Sequence, residues 1–88
     1  MLRSSIDTLN AAVQHNGFII YRKGKLHCED GPDWQWIECP NRDEHQALSE
    51  LSSHGYIKHD CVLDKYTSVF RITTEGKSFL DRYLSTTF

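Results

Sequence analysis

The amino-acid sequence predicts one α+β domain over residues 1–88, with helices and strands in the order α-β-β-β-α-β-β-α. Three segments carry apolar residues at the spacing of an amphipathic helix. Five shorter segments are rich in β-branched and aromatic residues, and Gly, Pro, Asn or Asp residues separate most of the segments. A hydrophobic content of 39% in 88 residues is enough for a single core and argues against disorder.

The first helix is predicted to begin at Ser4 or Ser5, because either side-chain oxygen can accept a hydrogen bond from an unpaired amide of the first turn. Four apolar residues at helical spacing predict one inward face: Ile6, Leu9, Ala12 and Val13. Asn16 and Gly17 follow, and glycine readily adopts the positive φ that ends many helices. We therefore expect the helix to end at this pair.

The segment 18–39 is predicted to be β-rich, with strands at residues 18–21, 26–28 and 34–38. Residues 22–25 and 29–33 carry the glycines and the proline expected of turns. Because side chains alternate between the two faces of a strand, Trp34 and Trp36 are expected on the same face.

The second helix is predicted to follow Pro40, with Asn41 as its N-cap and Glu44 at the capping-box position. Its inward residues are expected to be Ala47, Leu48 and Leu51. Gly55 can supply the left-handed residue that ends this helix.

A hairpin and a third helix complete the prediction. Residues 56–62 and 66–73 form the two strands, with the turn at 63–65. Thr73 or the threonine after it caps the third helix. The apolar stripe of this helix consists of Phe79, Leu80, Tyr83 and Leu84. We expect the first two of these side chains to be buried against the first helix and the hairpin.

Residues 48–84 thus present a helix end, a glycine followed by hydrophobic residues at 55–57, a hairpin, and a Thr-x-x-Gly helix start at 73–76. This succession resembles the C-terminal half of winged-helix domains, which implies a recognition helix followed by a wing. Winged-helix domains place another helix before the recognition helix, whereas residues 18–39 here have the pattern of strands. Either residues 34–39 form a short helical turn, or a β-hairpin replaces that helix.

A second resemblance covers a shorter stretch. Residues 21–32, Tyr-Arg-Lys-Gly-Lys-Leu-His-Cys-Glu-Asp-Gly-Pro, are similar to a repeat written Gly-Lys-Leu-His-Arg-Glu-Asp-Gly-Pro-Ala. The repeat occurs in proteins from bacteriophages and mobile elements. Cys28 and Asp33 depart from it, at the Arg and Ala positions. The resemblance implies a β-hairpin with a turn and a phage or mobile-element source.

Net charge, apolar runs and cysteine content indicate which partners and which cellular compartment to expect. The formal net charge is −2 and the pI about 6.2, so no global positive charge attracts nucleic acid or anionic lipid. No apolar run approaches the ~20 residues of a membrane span, and we expect no membrane association. Three cysteines at irregular spacing fit a reducing cytoplasm better than a disulfide framework.

The histidines and cysteines do not predict a metal or catalytic site. The candidates are His27, Cys28, Cys39, His45, His54, His59 and Cys61. They contain no Cys-x-x-Cys pair and no zinc-finger spacing, so we expect structural cysteines, surface histidines, no metal and no cofactor. No particular nucleophile and base are selected by the sequence, and we predict that the protein is not an enzyme.

The predicted function is a binding module that modulates or inhibits a host or defence protein. Alternating tryptophans usually belong to a core, but one that stays exposed is a natural interface anchor. Acidic residues that flank the pair would attract a basic partner. The predicted partner-binding residues are Glu29, Asp30, Asp33, Trp34, Trp36 and Glu44.

The alternative is a dimeric winged-helix regulator of transcription. Its predicted DNA-binding residues are Arg42, His45, Gln46, Ser49, Lys58, Lys65 and Arg71. The second helix carries several acids and few cations, which places DNA second to protein as the partner. A stripe of the four cations in space would favour DNA, and an exposed tryptophan ringed by acids would favour protein. The sequence leaves the oligomeric state open, with a homodimer as one option.

Overall fold

A computed structural model describes residues 2–29 and 34–85 of the chain. Its elements are α1 (Arg3–Gln14), β1 (Phe18–Arg22), β2 (Lys25–Glu29), β3 (Gln35–Ile37), a 3₁₀ turn (Pro40–Arg42), α2 (Glu44–Ser53), β4 (Ile57–Asp64), β5 (Thr67–Ile72) and α3 (Thr74–Ser85). This order confirms the predicted α-β-β-β-α-β-β-α succession and the α+β class. No described helix is both long and apolar enough to cross a membrane.

The strands form one antiparallel sheet in the order β3-β2-β1-β5-β4. The middle strand β1 is paired on both sides, so that Ile20 lies opposite His27 of β2 and Val69 of β5. Strands β2 and β3 therefore extend the sheet on one side of β1, and the β4–β5 hairpin lies on the other side.

All three helices pack on one face of the sheet. The core joins Leu9 of α1, Leu51 of α2 and Leu80 of α3 to side chains from every strand. The strand residues of this cluster are Ile19, Leu26, Cys28, Ile37, Ile57 and Ile72, with Tyr21 and Phe70 partly buried against it. We call this side the helix-covered face.

The opposite side of the sheet, which we call the open face, follows from the register. Side chains one position along a strand point the other way, so the neighbours of the core residues share this second face. They are Phe18, Ile20, Arg22, His27, Trp34, Trp36, Lys58, Cys61, Leu63, Val69 and Arg71. The two tryptophans lie on one face, as predicted.

The N-terminus of α1 differs from the prediction. The residue that flanks the helix is Leu2, and no side chain caps it; Ser4 and Ser5 lie buried inside the first turn. The Leu2 amide donates instead to a Glu50 carboxylate oxygen at 2.7 Å. A carboxylate at a helix N-terminus is favourable, and packing of α1 on α2 supplies it from 48 residues away. The predicted end is confirmed, with Gly17 at φ 81°.

The start of α2 also differs. Asn41 and Arg42 have positive φ, 59° and 57°, within the 3₁₀ turn, and the helix begins only at Glu44. The predicted Asn41 cap is wrong because asparagine here takes the left-handed conformation that it tolerates well. Residues 34–39 contain β3 and no helical turn. A hairpin therefore stands where the winged-helix pattern has a helix.

The C-terminal region follows the predicted order of elements, although β4 extends to Asp64 and the turn occupies residues 65–66 instead of 63–65. The Thr73 hydroxyl accepts a hydrogen bond from the Gly76 amide at 3.2 Å and donates to the Gly55 carbonyl at 2.7 Å, so Thr73 caps α3 as expected. Leu80 is 2% exposed, which confirms its predicted burial. Phe79 packs against the core but is only half-buried, so its predicted burial is confirmed only in part. Its ring stacks on Tyr56 near the surface, with centroids 4.7 Å apart.

Candidate binding surfaces

The open face has an apolar centre. Val69 of β5 lies between Ile20 of β1 and Cys61 of β4, and both Ile20 and Val69 are buried although no described helix covers them. A shallow groove of about 200 Å³ runs over this row. It is lined by Asn16, Phe18, Ile20, Cys61, Leu63 and Val69. The groove gives the open face a place for apolar side chains of a partner.

The tryptophans lie toward the β3 edge of the open face. Trp36 is opposite His27 and is 57% exposed, the most exposed large aromatic side chain of the described residues together with Tyr66. Trp34 is half-buried, with its ring edge-on to His27 at 5.0 Å. The Arg22 guanidinium lies 4.9 Å from the centre of the Trp34 ring. One tryptophan is thus held by its neighbours, and the other projects.

Cations accompany these rings. The Lys25 ammonium lies 5.3 Å from the centre of the Trp36 ring, in addition to Arg22 over Trp34. A cation over a ring face is attracted by the ring quadrupole. Burial, and after it the charge of Arg22, lowers the pKa of His27 below its usual 6.5, so this imidazole is neutral at pH 7.

The acids predicted to flank the tryptophans are mostly engaged elsewhere. Glu29 bonds the His15 ring at 2.8 Å. Glu44 is 5% exposed and lies 3.8 Å from the Lys25 ammonium. Asp30 and Asp33 fall outside the described residues. Arg22 and Lys25 lie over the two tryptophan rings, and Glu38 remains an exposed acid two residues from Trp36.

The four cations whose arrangement in one stripe would have favoured DNA are divided in space. Lys58 and Arg71 are a cross-strand pair on the open face, next to Phe18. Lys65 lies in the β4–β5 turn, with its ammonium 5.6 Å from the Tyr66 ring. Arg42 lies on the helix-covered side of the sheet. The predicted DNA-binding set thus does not form one surface.

A second concavity, which we call the α2 groove, opens between α2 and the helix-covered face of the sheet. It measures about 480 Å³. Its lining consists of Tyr21, His45, Leu48, Ser49, Ser52, Ser53 and Phe70. A neighbouring concavity of about 420 Å³ shares Tyr21 and His45 and adds Lys23, Gly24, Lys25, Arg42 and Glu44. The structure therefore joins the predicted residues Arg42, His45 and Ser49 in one place, with Gln46 exposed on the same helix.

Three acids at or on α2 are turned away from the α2 groove. Asp43 is 3.5 Å from the Ser4 hydroxyl, Glu44 faces Lys25, and Glu50 accepts from the Leu2 amide. The Ser5 hydroxyl beside the carboxylate, and then the Leu2 amide, lower the pKa of Glu50 below its usual 4.5. The three carboxylates thus contact α1 and Lys25 and do not face the α2 groove.

Sequence reasoning did not assign several of the lining residues to a site: Tyr21, Leu48, Ser52, Ser53 and Phe70 of the α2 groove, and Lys23 and Lys25 of the neighbouring concavity. No local signal identifies them, because they come together through the pairing of β1 with β5 and the packing of α2 on both. The alternation of β1 and β5 does indicate that Tyr21 and Phe70 share faces with buried residues, but not which helix lies over them.

The three cysteines are free thiols. Burial raises the pKa of the Cys28 thiol, and the Glu29 charge adds to this; burial is also the main cause of the raised pKa of Cys39. Cys61 is exposed on the open face. Over residues 2–29 and 34–85, no group of three or more His, Cys, Asp or Glu side chains is placed to hold a metal ion.

Comparison with known proteins adds no assignment to these surfaces. No protein-family model matches the chain, and a search of curated proteins found no significant match.

Proposed function

We propose that the chain is a non-enzymatic binding module that docks a protein partner on its open face around Trp36. The observation that carries this proposal is a tryptophan 57% exposed on a sheet face that no described helix covers. Exposing a large aromatic ring to water is unfavourable, and a partner that covers it gains the hydrophobic energy of that surface. Interface energy concentrates in such anchors, often at about 2 kcal/mol or more each.

The chemistry of the open face defines the partner further. Cations surround the apolar centre: Arg22 and Lys25 near the tryptophans, and Lys58 and Arg71 beside Phe18. A partner with apolar side chains and acidic flanks complements this pattern. The expectation of a basic partner depended on acids of which Glu29 and Glu44 are occupied within the chain.

The biological role we propose is modulation or inhibition of a host or defence protein by a phage or mobile-element product in the cytoplasm. Support comes from residues 21–32, which resemble a repeat of such proteins. Within this stretch, Lys25 and His27 lie on β2, which is the strand between β1 and the Trp36-bearing β3.

The size of a typical interface sets the design of the test. A standard interface covers about 800 Å² per partner, a patch about 28 Å across. Trp36 of β3 and Cys61 of β4 lie on opposite edges of the five-stranded sheet, about 19 Å apart at ~4.8 Å per strand. A partner centred on the middle strand β1 therefore covers both edges, and a photo-crosslinker attached to the exposed Cys61 thiol should capture it.

The test compares partner capture and affinity for wild type, Trp36→Ala and Tyr66→Ala. Tyr66 is a matched control because it is also 57% exposed but lies in the β4–β5 turn. We expect Trp36→Ala to weaken binding roughly 30-fold, the equivalent of about 2 kcal/mol, while Tyr66→Ala stays close to wild type. Equal losses in the two folded variants would refute the assignment of the open face.

The second candidate is a dimeric winged-helix regulator that binds DNA. It is favoured by one observation: α2, the β4–β5 hairpin and the Thr73-capped α3 follow in the winged-helix order. Against it stands the division of Arg42, Lys58, Lys65 and Arg71 among different surfaces. We expect duplex DNA to bind no tighter than about 10⁻⁶ M at physiological salt. Tight, sequence-selective binding in a duplex titration would promote this candidate over the first.

A further inference from the structure

The α2 groove and its neighbouring concavity share Tyr21 and His45, and we call the two together the channel. The channel lies on the helix-covered side of the sheet, and Lys25 at its edge also reaches the Trp36 ring. From its lining we infer that the α2 groove binds single-stranded nucleic acid. The inference goes beyond the proposed docking of a protein, because it concerns the other side of the sheet and a different class of partner.

The floor of the channel provides two aromatic rings. Tyr21 of β1 lies opposite Ser68, two residues from Phe70 on β5, so the two rings are diagonal neighbours on adjacent strands. Both are half-buried and line the groove. His59 adds its ring edge-on to Phe70, with centroids 5.4 Å apart. Aromatic side chains on a sheet offer faces on which unpaired bases stack, whatever their sequence.

The wall of the channel, on α2, carries hydrogen-bonding groups without negative charge. Ser49, Ser52 and Ser53 present hydroxyls, and His45 presents an imidazole. The acids at positions 43, 44 and 50 are directed at α1 and Lys25 instead. Phosphate and sugar oxygens can therefore approach this wall without meeting an exposed carboxylate of α2.

The mouth of the channel is cationic. Lys23, Lys25 and Arg42 line it together with Glu44, a buried acid that pairs with Lys25; Lys23 and Arg42 have no acidic partner among the described residues. The β4–β5 turn adds a fourth cation, since the Lys23 amide donates to the Tyr66 carbonyl at 3.2 Å and Lys65 lies against the same Tyr66 ring. Charge is thus segregated within a chain whose net charge is −2.

The arrangement favours a single strand over a duplex. Paired bases are stacked on one another and cannot reach the Tyr21 and Phe70 rings, whereas an unpaired strand can lay bases on the floor and phosphates at the mouth. An acidic polypeptide would satisfy the cations but would leave the aromatic floor without a planar ligand. A single-stranded nucleic acid is therefore the ligand that can contact the aromatic rings, the hydroxyl groups and the cations together.

The test measures binding of a fluorescein-labelled twelve-residue oligothymidine by anisotropy. Neutralising two to three phosphates predicts a roughly tenfold loss of affinity between 50 and 200 mM salt, from a slope of about −0.7 per phosphate. Lys23→Glu/Arg42→Glu should weaken binding at least tenfold and flatten this salt dependence. The matched control is Lys58→Glu/Arg71→Glu, which makes the same charge change on the open face and should stay within about twofold of wild type.

The floor is tested separately with Phe70→Leu, which keeps an apolar side chain but removes the stacking surface, and should weaken binding about tenfold. Circular dichroism establishes that each variant is folded. Equal losses in the two charge variants, a same-length duplex that binds as tightly as the single strand, or displacement by polyglutamate as effective as by unlabelled oligothymidine would each overturn the inference. Loss of protein docking in Trp36→Ala bears only on the open face.

Discussion

Truncation of Leu80 provides the sharpest test of how α3 is attached to the domain. Leu80 is 2% exposed and belongs to the core cluster that contains Leu9 of α1 and Leu51 of α2. Leu80→Ala removes three carbons from a buried site of the core, where α3 packs on α1, and this packing limits collapse around the cavity. Such truncations cost about 2–5 kcal/mol, and we expect about 3 kcal/mol here.

The expected loss at Leu80 is large relative to the free energy of unfolding of the whole domain. At 0.05–0.15 kcal/mol per residue, an 88-residue domain has a free energy of unfolding of about 4–13 kcal/mol. Since 1 kcal/mol shifts the melting temperature of a domain this size by about 4–8 °C, Leu80→Ala should lower it by roughly 12–24 °C. Urea denaturation followed by circular dichroism gives the free energy directly, and scanning gives the melting temperature.

Two further truncations, at Phe79 and Leu63, provide comparisons for Leu80→Ala. Phe79→Ala should cost about 1.5–2.5 kcal/mol, because the ring is half-buried and loses mainly its stacking on Tyr56. Leu63→Ala, at a side chain 53% exposed, should cost less than about 1 kcal/mol. A loss at Phe79 that exceeds the loss at Leu80, or a loss at Leu80 as small as that at Leu63, would show that α3 packs through a different face.

Three other predictions concern single positions. A Cβ at Gly76 would collide with the Tyr56 carbonyl oxygen, so Gly76→Ala should lower the urea midpoint, although alanine is the better helix former by about 1 kcal/mol. Cys61 should react rapidly with a thiol reagent while the two buried thiols react slowly, and Cys61→Ser should remove the fast phase. The lowered pKa of Glu50 stabilises the fold above its ordinary value of 4.5, and this contribution is lost as the pH falls through the lower folded-state pKa. The stability difference between wild type and Glu50→Gln should therefore be largest above about pH 5 and shrink in acid.

The order of elements was accessible from the sequence because its signals are local. Hydrophobic periodicity distinguishes helix from strand within a few residues, and Gly17 and Thr73 mark boundaries through their own backbone and hydroxyl chemistry. Where a boundary depends on a distant group, the prediction failed. The start of α1 is stabilised by Glu50, which no pattern near residue 2 reveals.

The candidate surfaces were less accessible for the same reason. The exposure of Trp36 and the burial of Glu44 depend on which strands are neighbours, and the order β3-β2-β1-β5-β4 pairs segments about 50 residues apart. Net charge was a poor guide as well, since it counts the acids of α2 without regard to their partners. Asp43, Glu44 and Glu50 contribute to helix packing and leave little negative charge on the groove side.

The β2–β3 hairpin lies next to both candidate surfaces, the open face and the α2 groove with its neighbouring concavity. Because β2 and β3 occupy the place where the winged-helix pattern has a helix, β1 becomes a central strand and the sheet gains width. On one side, the added strands carry Trp36 and extend the open face. On the other, the turn between β1 and β2 brings Lys23 to the end of α2 and gives the α2 groove its cationic mouth. The hairpin thus contributes to both candidate surfaces, the open face around Trp36 and the cationic concavity beside α2.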